Sequence, residues 1–186
     1  MGVVSVIKKI AISVVISLLL AAAGLLHYGM ITRDVHYLIQ CSADEGRGGW
    51  RAQRVREMCE FYLYNLRNTD NDVKELSEGA GLDYILNHEA PRKYEIAEFF
   101  LANGLDINGI NHYGAPNDVT PLQASVLYND AERVEFLIDQ GASLYRKSQT
   151  LGQLNALELA KDKHKEGDSR EDRSEIIKLL TNASVL

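Results

Sequence analysis

The side chains best able to move protons or hold a metal near neutral pH are histidines, and this chain has five: His27, His36, His88, His112 and His164. They fall in an apolar run, just beyond it and in three separate later segments, and none stands at a metal-ligand spacing from a second histidine or a carboxylate. The glycine patterns that cradle phosphates or dinucleotides are missing, as is the Gly-x-Ser-x-Gly turn of a serine hydrolase. Glu132, Glu135 and Asp139 recur at helical spacing, but Arg133 lies among them and the group reads as an exposed helix face. No enzyme activity, cofactor or metal is therefore expected. Cys41 and Cys59 are the only thiols. In an oxidising compartment they would form one disulfide; otherwise they are two reduced, half-buried thiols.

Charge narrows the partners. The chain carries −6 with histidine neutral, and from Asp34 onward 17 basic residues face 26 acidic ones. Nucleic acid and anionic lipid are poor main partners for so acidic a domain, because phosphate binding needs a basic face.

The elements that would position any site begin with "IAISVVISLLLAAAGLL" at 10–26, which has no charge and continues through Met30 and Ile31. That is about the 20 residues needed to cross a hydrocarbon core. Lys8 and Lys9 precede it while Arg33 and Asp34 cancel after it, so the N-terminus is expected in the cytoplasm and the remainder outside. The competing reading is a signal peptide cleaved near Ala21-Ala22-Ala23, although the apolar run continues beyond those residues. A lipoprotein reading of "LIQC" fails, since that stretch follows charged and polar residues.

The expected divisions are 1–33 for the cytoplasmic tip and anchor, 34–50 for a linker, 51–90 for a helical cap and 91–186 for repeats. "CSADEGRGGW" supports the linker. Between 51 and 68, Val55, Met58, Cys59, Tyr62 and Leu66 form an apolar helix face that leaves Arg51, Arg54, Arg56 and Glu57 toward solvent. "NTDND" starts a shorter helix over 73–76. Pro91 opens a helix that Gly104 ends in a left-handed cap.

The order helix, turn, helix, glycine then recurs. Gly104 and Gly141 are 37 positions apart, and Thr120 and Asn155 are 35 apart. Periods in this range mark a solenoid whose units must stack to bury their apolar faces.

In the middle unit, Thr120, Pro121, Leu122 and Ala124 stand in the order Thr-Pro-Leu-x-Ala, followed by Val134, Leu137 and Ile138 in a second helix and by Gly141-Ala142. Gly104, Asp106 and Asn108 close the preceding unit, and Asn155, Ala156, Leu157 and Ala160 open the next. With these residues the chain resembles ankyrin-repeat proteins, with Gln123 at the position of the family's histidine. The resemblance covers about half the chain. Together with the apolar N-terminal run it gives an expected all-α fold: a single transmembrane helix, an N-terminal helical cap and an ankyrin-like helical solenoid of about three repeats.

The departures point to function. The connection 104–120 is about four residues longer than the usual hairpin, and 161–174 is a charged insertion read as solvated. Asn111, His112, Tyr113, Asn117 and Asp118 form a loop tip of aromatic and amide chemistry suited to contact. Gln123, Leu127 and Tyr128 on the first-helix face complete the candidate partner surface. The architecture further resembles the bacterial immunity proteins that accompany toxic effectors of contact-dependent, type VI-like secretion. That resemblance implies an inner-membrane, single-pass protein whose periplasmic domain binds a protein partner, a lipase-like toxic effector enzyme. The alternative is a non-inhibitory envelope adaptor.

Overall fold

Helix punctuation in the sequence becomes backbone geometry in the computed structural model, which describes residues 2–43, 48–88, 92–113, 118–165 and 171–185. Pro91, Asn117 and residues 166–170 of the charged insertion lie outside the described residues. Among those described, all regular structure is helical apart from one isolated bridge between Ser148 and Leu154. The helices are α1 (Gly2–Ile31), α2 (Val35–Ala43), α3 (Gly49–Asn65), α4 (Thr69–Glu78) and α5 (Leu82–Leu86). They continue with α6 (Lys93–Ala102), α7 (Pro121–Tyr128), α8 (Ala131–Asp139), α9 (Ala156–Lys163) and α10 (Ser174–Ala183).

Within α1, Ser5–Ile31 is long and apolar enough to cross a membrane, and none of its most apolar stretch is buried in the protein. A signal sequence meets the same criterion of length and composition. Among the described residues, α1 meets the rest of the molecule near its last turn: Met30 is buried, and His27 Nδ1 lies 3.0 Å from the Tyr62 hydroxyl. Arg67 fixes the exit. It pairs with the buried Asp72 and donates Nη1–H to the carbonyls of Ile31 and Arg33.

Two helices differ from expectation. The region 34–50, read as a linker, contains α2, whose Val35, Leu38, Ile39 and Ser42 are buried at helical spacing. Its apolar signal is short and runs straight into a polar, glycine-rich segment, which hid it. In α3 the buried residues are Cys59, Tyr62 and Leu63, while Val55 and Leu66 are exposed. The helix is thus rotated relative to the expected face, because α2 packs along its Cys59 side. Cys41 and Cys59 form a disulfide across this hairpin with Cα atoms 6.0 Å apart. Helix α4 starts earlier than expected, with Asn68 capping the Asn71 N–H.

From α6 onward the caps set the chain's course. Gly104 and Gly141 take φ of +97° and +85°, the left-handed region where a side chain is strained, and each turns the chain out of a helix. Thr120 and Gln123 form a reciprocal capping box with Pro121 in the first turn of α7, and Asn155 and Glu158 form the equivalent box on α9. Helix α7 packs on α8 and α9, and α10 packs on both of those. Two helical hairpins therefore lie side by side, first helix on first and second on second. One continuous apolar core runs from Met30 through Leu38, Leu63, Ile85, Phe100, Leu122 and Leu137 to Leu180.

Candidate functional site

The connection after α6 is built by local bonds. Asp106 Oδ1 accepts the Asn108 N–H (2.8 Å) and its carbonyl accepts the Gly109 N–H (2.9 Å), closing a tight turn. Asn108 then reaches the next unit: its Oδ1 accepts the Ser143 N–H at 2.8 Å and its carbonyl accepts from Arg146 Nη1 at 3.2 Å. Farther along, the His112 N–H donates to the Gly79 carbonyl (2.9 Å), which ties the loop to the α4–α5 turn. Asn111 Oδ1 accepts the Tyr113 N–H at 2.9 Å.

Tyr113 is the exposed end of this arrangement, with 77% of its surface accessible. Its ring rests against Gly79, where a Cβ would come within 2.8 Å of the ring. Glycine at 79 is what allows so close an approach. His112 beside it is exposed, and Asn111 is partly buried.

Gln123 and Asp118, both expected at the partner surface, are engaged by other parts of the chain. Gln123 is 1% exposed: its Oε1 accepts the Thr120 N–H, and its Nε2 donates to the carbonyls of Arg146 and Leu154, each at 3.0 Å. A side chain so buried and so fully bonded has nothing to offer a partner. Asp118 accepts from the Ser148 hydroxyl (2.7 Å), the Thr150 hydroxyl and the Gln149 N–H. The hydroxyls of Thr150 and Ser148 and then those backbone N–H groups hold its carboxyl down at about 2. Asp118 is the strap between this loop and the 148–150 turn. Leu127 is half-buried against the core, and Tyr128 is 67% exposed.

Beneath Tyr128 lies a buried ion pair that periodicity concealed. Arg133, read as part of a solvated face, is 2% exposed. Its guanidinium pairs with Asp83 of α5, donates to Asn87 Oδ1 (2.7 Å) and sits 5.9 Å below the Tyr128 ring. Burial pushes the Asp83 carboxyl up, opposed by the Arg133 charge and by a hydrogen bond with the Asn111 side chain. Burial pushes the Arg133 guanidinium down, opposed mainly by Asp83. The pair thus links Tyr128, through Arg133, Asp83 and Asn111, to the backbone of Tyr113. Sequence spacing hid it because its partners lie 50 positions apart.

An open groove of about 370 Å³ runs beside Tyr128, lined also by Asn87, His88, Lys93 and Arg133. Burial lowers the His88 pKa, so the ring is neutral at pH 7, and its Nε2 has no hydrogen-bond partner. That nitrogen is itself buried, and the accessible groups on the groove include Tyr128 and Asn87.

One further cluster drew on distant residues. Asp34, His36 and Glu75 each bring a ligand atom within 4.8 Å of the others. Asp34 Oδ1 already accepts the Tyr37 N–H, however, and Glu75 Oε1 faces the Val35 N–H and His36 Nδ1, both at 3.4 Å. The group reads as a helix cap joined to a histidine–carboxylate contact. Comparison with protein-family models, with curated proteins and with solved structures finds no match to this chain.

Proposed function

We propose that this chain is a membrane-anchored, ankyrin-like interaction module that binds a protein partner through Tyr113, Tyr128 and the groove beside Tyr128. The observation that carries the reading is the contrast between these groups and their setting. Tyr113 and Tyr128 stand exposed on a scaffold whose buried polar groups, from Gln123 to Arg133, are spent on holding loops in register. Rigid exposed tyrosines over a pre-formed support are the chemistry that dominates protein interfaces.

Support for the ankyrin-like reading comes from the repeated capping boxes at Thr120 and Asn155, the left-handed glycines at 104 and 141, and the side-by-side hairpins. In that reading α2 to α5 cap one end of the stack. The anchor, the Cys41–Cys59 bond and the acidic domain are consistent with an inner-membrane protein facing an oxidising periplasm. We assign it the role of an immunity protein that occludes a lipase-like toxic effector.

The test is co-purification of the full-length protein from its own cells in mild detergent, followed by assay of the partner. A hydrolase that arrives in near-equal amount and loses activity on binding supports the assignment. An envelope protein whose activity does not change supports the adaptor instead. Tyr113→Ala and Tyr128→Ala are each expected to weaken the complex about tenfold or more, the effect of removing an interface anchor, with thermal unfolding unchanged.

A further inference from the structure

The acidic total of the domain hides a local reversal. Residues 48–67 carry four arginines against two glutamates, whereas from 68 onward 12 basic residues face 21 acidic ones. Three of those arginines, Arg51, Arg54 and Arg56, lie on α3, the helix that meets the end of α1, while Arg67 lies just beyond it and pairs with Asp72.

Two contacts give the direction of α3. Tyr62 reaches His27, and Arg67, five positions farther along, reaches the carbonyl of Ile31. The C-terminal end of α3 therefore advances in the same sense as the last turn of α1. Both contacts are with the end of α1, so α3 lies beside the C-terminal end of the apolar helix. Its buried side, with Cys59 and Leu63, is covered by α2 and fixed to it by the disulfide. On the side where Tyr62 meets α1, Trp50 and Phe61, eleven positions apart, lie along one line, and Val55 and Leu66, also eleven apart, lie along a second, with Tyr62 and the partly buried Met58 between them. The four on the lines are exposed, with Trp50 71% accessible. Arg51 and Arg54 lie between the two lines, and the Arg51 guanidinium stands 5.4 Å from the Trp50 ring.

We propose that α3 is a second membrane contact, lying in the headgroup layer beside α1 with Trp50, Val55, Phe61 and Leu66 facing the acyl boundary and Arg51 and Arg54 on lipid phosphates. Tryptophan and arginine together suit that layer, since the indole is apolar with one polar edge and the guanidinium can reach outward to phosphate while its stem stays in apolar surroundings. The charge division then orients the domain. An anionic leaflet attracts the basic helix and repels the acidic repeats, so Tyr113 and Tyr128 are held away from lipid. This inference rests on α1 being retained as a membrane span.

Trp50 is the only tryptophan in the chain, so its fluorescence reports on α3 without any labelling. The full-length protein is extracted from cell membranes, its intact mass is measured, and it is placed in nanodiscs of phosphatidylcholine and phosphatidylglycerol with or without brominated acyl chains. The expected result is a blue-shifted Trp50 emission, a loss of intensity in brominated nanodiscs and shielding from acrylamide. Arg51→Glu with Arg54→Glu, both exposed positions outside the core, should restore acrylamide access without changing the circular dichroism. A mass showing removal of the N-terminal segment would overturn the anchor and this proposal with it. A chain that keeps α1 but shows Trp50 emission typical of water, indifferent to bromolipid and open to acrylamide, would overturn this proposal alone.

Discussion

Removing the Arg133 guanidinium tests the packing that joins α5 to α8, and the structure sets the size of the effect. Arg133 and Asp83 are both buried, Asn87 shares the guanidinium and Asn111 bonds to the carboxylate. Arg133→Met keeps much of the volume and strands the Asp83 charge. Breaking one side of a buried pair costs about 3–5 kcal/mol, and the Asn111 bond left on Asp83 puts this case toward the lower end. Asp83→Asn strands the guanidinium instead, with Asn87 still accepting from it, and should cost about as much or less. The double variant leaves no buried charge, so its loss should fall short of the sum of the two by about 1–3 kcal/mol. The assay is urea unfolding of the full-length protein in mild detergent at pH 7 with the disulfide intact. Single losses below about 1 kcal/mol, the range of exposed pairs, or strict additivity would refute the buried pair. The support proposed beneath Tyr128 would fall with it.

Three other outcomes follow from the same geometry. Asp118 has a folded pKa below its unfolded value, so its contribution is present above the unfolded pKa of about 4 and is lost as pH falls from there toward 2; Asp118→Asn should lower stability at neutral pH and flatten the acid limb of a pH–unfolding curve. Leu122→Ala, at a fully buried position in α7, should cost about 2–5 kcal/mol by urea unfolding. Reduction of Cys41–Cys59, which closes a loop with a sequence separation of 18, should cost about 3 kcal/mol, read from unfolding with and without reductant.

Particular residues show where the sequence was legible. Thr120 with Pro121 announced the start of α7, and Gly104 and Gly141 announced the left-handed turns, because a cap or a positive φ depends on a few adjacent residues. Tyr113 and Tyr128 were legible as exposed for a similar reason: each sits at a turn or helix end with polar neighbours. Gln123 was misread because its amide is satisfied by the carbonyls of Arg146 and Leu154, more than 20 positions away. His88 was passed over because nothing in its spacing indicated that α7 and α8 would bring Tyr128 and Arg133 beside it.

By itself, then, the sequence determined the apolar N-terminal helix, the caps and turns and the recurrence of helical pairs, all of which depend on contiguous or nearly contiguous residues. The tertiary structure decided which polar side chains were free. Arg133, Glu132 and Glu135 share one short helix and look alike in sequence, yet only Arg133 faces Asp83 and is buried, while both glutamates face water. The same holds for α3, where packing of α2 on the Cys59 side left Val55 and Leu66 uncovered. Burial depends on which helix arrives opposite a side chain, and that partner can lie anywhere along the chain.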